Sequence, residues 1–246
     1  MLTYKILTDT KTPFITYGYL VDQKFDYGEI GGVSGGFRTD YSSAFGGGSK
    51  PFTFPHFSGF FRLSAFNFWN KGKIGKVIDE FKIRGAFGKA GIQPGPFDRY
   101  VTLTPQSMGD NVAFVFKTTN PNPNLGVEIS RETEVGTDFS IKGLKGNWLK
   151  TFNVSFSYWD RYTDNAIWPT DAAPSTGTGN IIDNAFGLES HGYQASLNMS
   201  AYKSKKINWN FTTNFSYQSS SITFVKDKPI VLISNAGSSG YVLEAG

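Results

Sequence analysis

Four carboxylates occupy even-numbered positions along one stretch of the chain: Glu128, Glu132, Glu134 and Asp138. Side chains two residues apart on a β-strand point to the same face, so these four are predicted to form one acidic strip. Such a strip can bind a cationic ligand, but it is more often balanced by basic side chains of a neighbouring strand. Lys82 and Arg84 are the expected partners, and we favour this balanced arrangement.

A second candidate site consists of Trp168, Asp171 and Asp183, in a segment rich in Pro, Thr, Gly and Asn. We predict a loop here whose exposed side chains contact a ligand or a partner protein. An exposed aromatic ring can stack on a sugar or anchor a partner. Trp168 precedes Pro169 and could equally be an aromatic residue at a membrane interface.

The residue types needed for several other chemistries are scarce. The chain has no cysteine and only two histidines, His56 and His191, so neither a metal site nor a cofactor is predicted. The Gly-Gly-Gly-Ser-Lys run at 46–50 lacks the Gly-Lys-Ser/Thr order of a phosphate-binding loop. No serine has a plausible general base, so the chain is not predicted to be an enzyme.

The composition favours a β-rich protein. Of 246 residues, 16% are aromatic, 18% are charged and 28 are glycine, which suits β-structure that does not rely on disulfides. The net charge is +4, but the lysines are spread among turns, so nucleic-acid binding is not predicted.

No apolar run reaches the roughly 18 residues of a transmembrane helix. Residues 1–5 lack a signal-peptide layout, so either the protein is not exported or the chain begins inside a longer one.

Apolar and polar residues alternate along the chain with the period of a β-strand. In 151–162, for example, Phe152, Val154 and Phe156 flank Asn153 and Ser155. Strands are predicted at 151–162, 193–201, 207–217 and 57–65 and, more weakly, at 14–21, 27–40, 79–91 and 127–142; no helix is predicted. Several of these roughly eight strands span about 10–16 residues, whereas globular strands average about 5–6. A membrane-crossing strand needs about 9–11.

Short lysine turns alternate with longer links. The turns are at 71–73, 145–147 and 203–206, and the links are at 41–56, 92–126 and 164–186. Outer-membrane barrels alternate in this way, with short turns in the periplasm and long loops outside. We therefore assign the lysine turns to the periplasmic rim. Their lysines are interpreted as ordinary turn residues in preference to ligands of lipid phosphates.

The predicted fold is all-β, an incomplete segment of an antiparallel transmembrane β-barrel with about eight long strands. Its polar faces, rich in Asn, Ser, Thr and Gln, suit a hydrated lumen, and its apolar faces suit lipid. Arg131 falls on an apolar face, so it either lies near the outer rim or follows a bulge that changes the register. A complete eight-stranded barrel and a soluble carbohydrate-binding β-sandwich are the alternatives.

Five blocks of residues occur in a fixed order. They are Phe37-Arg38-Thr39-Asp40-Tyr41-Ser42-Ser43-Ala44-Phe45-Gly46; Phe54-Pro55-His56-Phe57-Ser58 with Phe61-Arg62-Leu63-Ser64 and Phe68; Phe81-Lys82-Ile83-Arg84-Gly85-Ala86-Phe87-Gly88 with Gly91 and Gln93; Asn122-Pro123-Asn124-Leu125 with Glu128, Gly136 and Asp138; and Tyr158, Asp160, Arg161 and Thr163 followed by Asn184, Gly187, Gly192 and Tyr193. Together they resemble the SusC/RagA-type TonB-linked outer-membrane importers of Bacteroides-like bacteria, with departures at Tyr41, Ala44 and Phe61.

This resemblance implies a barrel of about 22 strands in the outer membrane of a Gram-negative bacterium, plugged by an N-terminal domain. Such proteins import oligosaccharides or peptides with energy passed on by TonB, under a SusD-like surface lipoprotein that acts as a lid. Residues 1–246 would then be part of the β-barrel domain, about a third of its wall, without plug or signal peptide. The acidic strip would face the lumen.

Overall fold

The computed structural model describes residues 14–45, 51–143, 146–226, 230–232 and 241–245. Its strands are β1 (Thr16–Tyr27), β2 (Gly31–Ser42), β3 (Phe52–Arg62), β4 (Ile78–Ile92), β5 (Leu103–Met108), β6 (Asn111–Phe116), β7 (Thr119–Asn120), β8 (Glu128–Lys142), β9 (Thr151–Asp171), β10 (Asn180–Lys203), β11 (Asn208–Val225), β12 (Ile230–Leu232) and β13 (Tyr241–Leu243). The helical segments are α1 (Asn67–Lys71) and 3₁₀ turns at Ser43–Phe45, Leu63–Ala65, Ile74–Lys76 and Pro174–Thr176. No helix in the described residues is long and apolar enough to cross a bilayer.

Eight long strands form one antiparallel meander in the order β1-β2-β3-β4-β8-β9-β10-β11, and β7 adds to β10. The shortest of the eight is β3 with 11 residues and the longest is β10 with 24. Each is therefore long enough for the roughly 9–11 residues of a tilted membrane crossing. The predicted set of long strands is confirmed. Among the described residues β1 and β11 are the two edges of the sheet and no pairing joins them, so the sheet is open.

Strand register assigns each side chain to one of two faces. Asp138 of β8 lies opposite Lys82 of β4 and Ser155 of β9, whereas the next residue, Phe139, lies opposite Phe81 and Val154. We call the first side the polar face and the second the apolar face.

Much of the apolar face is uncovered, although the connection at 63–77 packs on part of it. Val135 is 56% exposed and Phe215 63% exposed. Few large side chains are buried in the described residues, and Leu125 is the largest that is fully buried. A soluble sandwich would cover such a face with a second sheet, so this alternative does not fit. An uncovered apolar face of this extent suits lipid.

Arg131 lies on the apolar face without a bulge. The β4–β8 and β8–β9 registers run unbroken past it. Its guanidinium lies 5.0 Å from the ring centroid of Tyr162 and 3.9 Å from the carboxylate of Asp164. Since β8 begins at Glu128, Arg131 is close to the end of the strand, which agrees with the rim position and not with a register change.

Two predicted boundaries near the start of the sheet are wrong. The strand predicted at 27–40 is interrupted, because Tyr27 ends β1 and β2 begins at Gly31. Gly28 has a φ of 55°, a left-handed conformation that suits a tight turn. The link predicted at 41–56 is also too long, since β3 already begins at Phe52 and carries His56 within the sheet. The 46–50 glycine run lies outside the described residues.

The loop predicted at 164–186 is too long, since only 172–179 connects the two strands. β9 continues to Asp171 and β10 begins at Asn180, so Trp168, Asp171 and Asp183 lie on strands. Alternation is interrupted because Asn165 has a φ of 59°, a conformation that Asn tolerates better than most residues. The β9–β10 hairpin therefore extends beyond the ends of β4 and β8.

The connections fall on two rims. Among the described residues, the lysine rim contains 28–30, 63–77, 146–150 and 204–207, and the loop rim contains 43–45, 93–127 and 172–179. The rims differ less in length than predicted, since 63–77 on the lysine rim is longer than 172–179 on the loop rim. The longest connection, 93–127, contains the β5–β6 hairpin. Residues 63–65, predicted as strand, form a 3₁₀ turn, and the helix α1 follows. This helix was not predicted, because a single helical turn is too short to show a period. Lys145 lies outside the described residues.

The two faces can be distinguished by placing the same charge on each. We expect Phe156→Arg in the full-length protein to lower the free energy of unfolding by about 2–4 kcal/mol, the cost of Arg at mid-depth on a lipid-contacting face. Ser155→Arg is the matched control, because the new cation faces Asp138. Guanidinium titration in liposomes measures both, and equal losses for the two variants would contradict the assignment of faces.

Candidate functional site

The predicted acidic strip lies on the polar face of β8, where basic residues of β4 meet it. Lys82 Nζ is 2.9 Å from Asp138 Oδ2. Arg84 donates to Glu134 at 2.5 Å and has its Nε 3.6 Å from Asp138. The balance by Lys82 and Arg84 expected from the sequence is therefore present. Because Arg84 is shared by two carboxylates, these side chains form one network.

β9 completes this network from the other side of β8. The Ser155 hydroxyl donates to Asp138 at 2.7 Å, so this carboxylate is held from both neighbouring strands. Gly136, between the two acidic residues, leaves room for the guanidinium. A Cβ built there would lie 2.9 Å from Arg84 Cζ and 2.9 Å from the Phe156 carbonyl oxygen, which is closer than Cβ atoms approach other atoms.

The other two acidic residues have different partners. Glu132 accepts from Arg161 Nε at 2.6 Å, and the Arg161 guanidinium lies 5.3 Å from the ring centroid of Trp159. Glu128 accepts a backbone hydrogen bond from Ile167 at 3.0 Å. It thus supports β9 just after the left-handed Asn165 and is not part of the ion-pair network.

Further polar contacts along the polar face were not predicted from the sequence. Asp22 of β1 and His56 of β3 are 2.7 Å apart, although β2 lies between their strands. Gly36 of β2 is opposite both residues, and its lack of a side chain lets them meet. The signal available in the sequence was a glycine on the polar face of a strand whose two neighbours carry titratable side chains on the same face. Arg62 likewise lies 3.3 Å from Glu80.

A shallow groove of about 430 Å³ runs along the polar face toward the loop rim. Small residues of β4 form one wall, and Glu132 and Arg161 form another. Of its charged side chains, Glu132 pairs with Arg161 within the groove, whereas Glu134 pairs with Arg84 beside it. Exposed pairs of this kind contribute only about 0–1 kcal/mol each, and their main effect is to hold side chains in position. No group of metal-binding side chains occurs in the described part of the chain.

The three predicted contact residues lie on the β9–β10 hairpin. Trp168 is opposite Asp183 and Asp171 is opposite Asn180. The Trp168 ring is half-buried, with its centroid 6.0 Å from that of Phe186, whereas Asp171 is exposed.

Asp183 is held by several bonds within the chain. Its carboxylate accepts from Asn122 Nδ2 at 2.9 Å and lies 2.6 Å from Lys226 Nζ. The backbone amide of Asn184 also donates to it at 2.8 Å.

A latch at Asn122, Leu125 and Asn184 ties the long connection 93–127 to this hairpin. The Asn184 side chain accepts from the Gly126 amide at 2.7 Å and donates to the carbonyl oxygens of Gly126 at 3.2 Å and Asn165 at 2.9 Å. Leu125 is 1% exposed. The Asn-Pro-Asn-Leu block is thus a structural latch, a role that sequence reasoning did not assign to it.

The family model for the TonB dependent receptor-like β-barrel matches residues 7–244, and the chain belongs to this family. It is 23% identical over 223 residues to TonB-dependent receptor P39 of Formosa agariphila, covering 90% of this chain and 20% of that protein. It is 26% identical over 208 residues to TonB-dependent receptor P3 of the same organism, covering 81% and 19%. The chain therefore spans about a fifth of the length of these curated relatives.

Solved structures share the fold. The RagAB peptide transporter superposes with a TM-score of 0.76 at 16% identity, covering 94% of this chain and 25% of that chain. The siderophore receptor PirA from Pseudomonas aeruginosa gives a TM-score of 0.53 at 16% identity, covering 85% and 37%. The predicted recognition is confirmed. TonB-dependent receptors are transporters of the Gram-negative outer membrane.

Gly136 tests whether the ion-pair network depends on close packing. We expect Gly136→Ala in the full-length receptor to lower the free energy of unfolding by about 1–3 kcal/mol, the usual cost of overpacking. The control is Gly85→Ala, since a Cβ there meets nothing closer than 3.8 Å. Denaturant titration in lipid compares the two, and a neutral Gly136→Ala would show that Arg84 has room to move aside.

The latch is tested by Asn184→Ala. Loss of three hydrogen bonds should speed amide hydrogen exchange in 122–127 and cost about 1–3 kcal/mol. Asn198→Ala, which removes one exposed bond from Thr212, should leave that segment unchanged. Hydrogen-exchange mass spectrometry of the full-length receptor measures both effects. Unchanged exchange in 122–127 after Asn184→Ala would show that the long connection is held in another way.

Proposed function

We propose that the chain forms about a third of the wall of an outer-membrane importer, with the lysine rim in the periplasm and the loop rim outside. Its long strands, exposed apolar face and open edges suit a larger barrel. The match to about a fifth of each curated relative supports this further. An open edge in lipid leaves backbone groups unpaired, so neighbouring strands of the parent protein would continue the sheet.

The polar face would line the lumen of this barrel. The observation that carries the proposal is the contrast between two faces at the same level of the sheet. One face carries the paired charges of Lys82, Arg84, Glu134 and Asp138, and directly behind them lie Phe81, Ile83, Val135 and Phe139. A barrel of this size holds a plug, and the groove beside Glu132 and Arg161 would present this ion pair to the plug or to the passing cargo. The acidic strip would act mainly through its balance by the basic residues of neighbouring strands.

The cargo would be an oligosaccharide or a peptide, taken up with energy supplied through TonB and with a SusD-like lipoprotein as lid. The fold shared with the RagAB peptide importer supports a cargo of this size. The β9–β10 hairpin would meet cargo or lid through Trp168 and Asp171. Asp183 is also a proposed contact, although its partners within the chain leave it the least available of the three.

Uptake by the full-length receptor tests this proposal. In a strain lacking the receptor, complementation should restore uptake of a labelled peptide or oligosaccharide from a screened panel, and removal of TonB should abolish it. Trp168→Ala should lower uptake per receptor about 2–10-fold, as expected for one lost aromatic contact. Trp148→Ala, which removes an exposed tryptophan from the lysine rim, is the control. Uptake that persists without TonB would contradict the proposal.

A further inference from the structure

The connection 63–77 folds back onto the apolar face of the sheet. Phe61 lies on this face opposite Ile83, and Phe81 lies on it opposite Phe139. Phe66 continues the aromatic surface, with its ring centroid 5.6 Å from that of Phe61. The Trp69 ring of α1 stacks on Phe81 at 5.6 Å with an interplanar angle of 9°. The connection therefore lies along the outside of the wall and does not cover the lumen.

Hydrogen bonds fix this connection to the strands around it. Trp69 Nε1 donates to the Ile78 carbonyl at 3.0 Å, and the Phe81 amide donates to Ser64 Oγ at 3.1 Å. The Lys142 amide at the end of β8 donates to the Val77 carbonyl at 2.8 Å. The segment thus has a defined orientation before it meets any partner.

Apolar side chains that would normally be covered remain exposed on this segment. Phe68 is 64% exposed, Ile74 57% and Val77 55%. They extend the exposed apolar surface of β3 and β4 past the ends of these strands, since Phe66 and Phe68 stack at 5.7 Å. The surface that meets lipid thus continues onto the connection.

Lys71, Lys73 and Lys76 stand among these apolar side chains and are exposed. No ion pair in the described residues joins any of them to a carboxylate; the nearby Lys142, by contrast, lies 3.0 Å from Asp79. Apolar side chains interleaved with unpaired cations are characteristic of segments that lie in a membrane interface, where lysine meets lipid phosphate.

We propose that residues 63–77 form an interfacial anchor in the inner leaflet of the outer membrane. Phe68, Ile74 and Val77 insert beside the acyl chains, and Lys71, Lys73 and Lys76 bind the phosphates of phospholipid headgroups. We infer that the ligand is a phospholipid for two reasons. The apolar side chains continue the surface that faces lipid, and the three lysines carry the charge that attracts phosphate. The choice of the inner leaflet rests on the proposed function, which places the lysine rim in the periplasm.

The β10–β11 turn provides an internal comparison. It comprises only 204–207, and the Ser204 amide bonds the Ile207 carbonyl at 2.8 Å, so it closes the hairpin without folding back on the apolar face. Lys203, Lys205 and Lys206 are exposed there as well. These three lysines carry the same charge on the same rim without an inserted apolar segment.

Spin labels measure insertion directly. In the full-length receptor inserted in phosphatidylcholine–phosphatidylglycerol liposomes, a label at Ile74→Cys should collide more often with oxygen than with a water-soluble nickel chelate. A label at Lys205→Cys should show the reverse preference. A water-exposed label at position 74 in an inserted receptor would overturn the anchor alone, whereas failure of the receptor to insert would also overturn the proposed function.

Phosphate binding is tested with dioctanoyl phosphatidylglycerol and the detergent-solubilised full-length receptor. The triple variant K71Q/K73Q/K76Q should bind this lipid about tenfold more weakly, since each lysine near an anionic surface contributes to attraction. K203Q/K205Q/K206Q should change binding by less than about twofold. Equal losses in both variants, or a preference of the first lysine set for lipid A over phosphatidylglycerol, would overturn the proposal.

Discussion

A strand in lipid can satisfy its backbone N–H and C=O groups only through neighbouring strands, because no water is available there. This constraint explains why the eight long strands from β1 to β11 pair with their neighbours in one antiparallel ladder. The register of that ladder then decides which side chains meet lipid and which meet water. A slip of one residue between β8 and β9 would bring Asp138 onto the face of Phe156. The hydrogen-bonded register is therefore the feature on which both faces depend.

Charged side chains on the polar face are held in ion pairs between neighbouring strands. Cations of β4 alternate with anions of β8, and Arg84 spans two carboxylates because Gly136 leaves room for it. Asp22 and His56 meet across Gly36, which lies on the strand between them. The glycines thus give polar side chains the room to meet, on the facing strand at Gly136 and across a strand at Gly36.

The elements that the sequence predicts best are those with strict alternation. Phe152, Val154 and Phe156 identify both the strand and its apolar face, and the spacing of Glu134 and Asp138 identifies their shared face. The part of the β9–β10 hairpin nearest its turn was missed because Asn165 interrupts the period and because Pro169 and Thr170 suggest a loop. The pairs Asp22–His56 and Asn122–Asp183 join residues far apart in the sequence, so they follow from the register and not from local pattern. Ligand contact at Trp168 stays a prediction.

The most direct test of the central claim is the solvent accessibility of successive residues along β9. The chain contains no cysteine, so single cysteines can be placed in turn at positions 152 to 158 of the full-length receptor in liposomes. A membrane-impermeant maleimide should label 153 and 155 and leave 152, 154, 156 and 158 unreacted, and position 157 should react slowly because Ser157 is buried. Labelling without this alternation, or with the opposite alternation, would contradict a wall that has lipid on one face and water on the other.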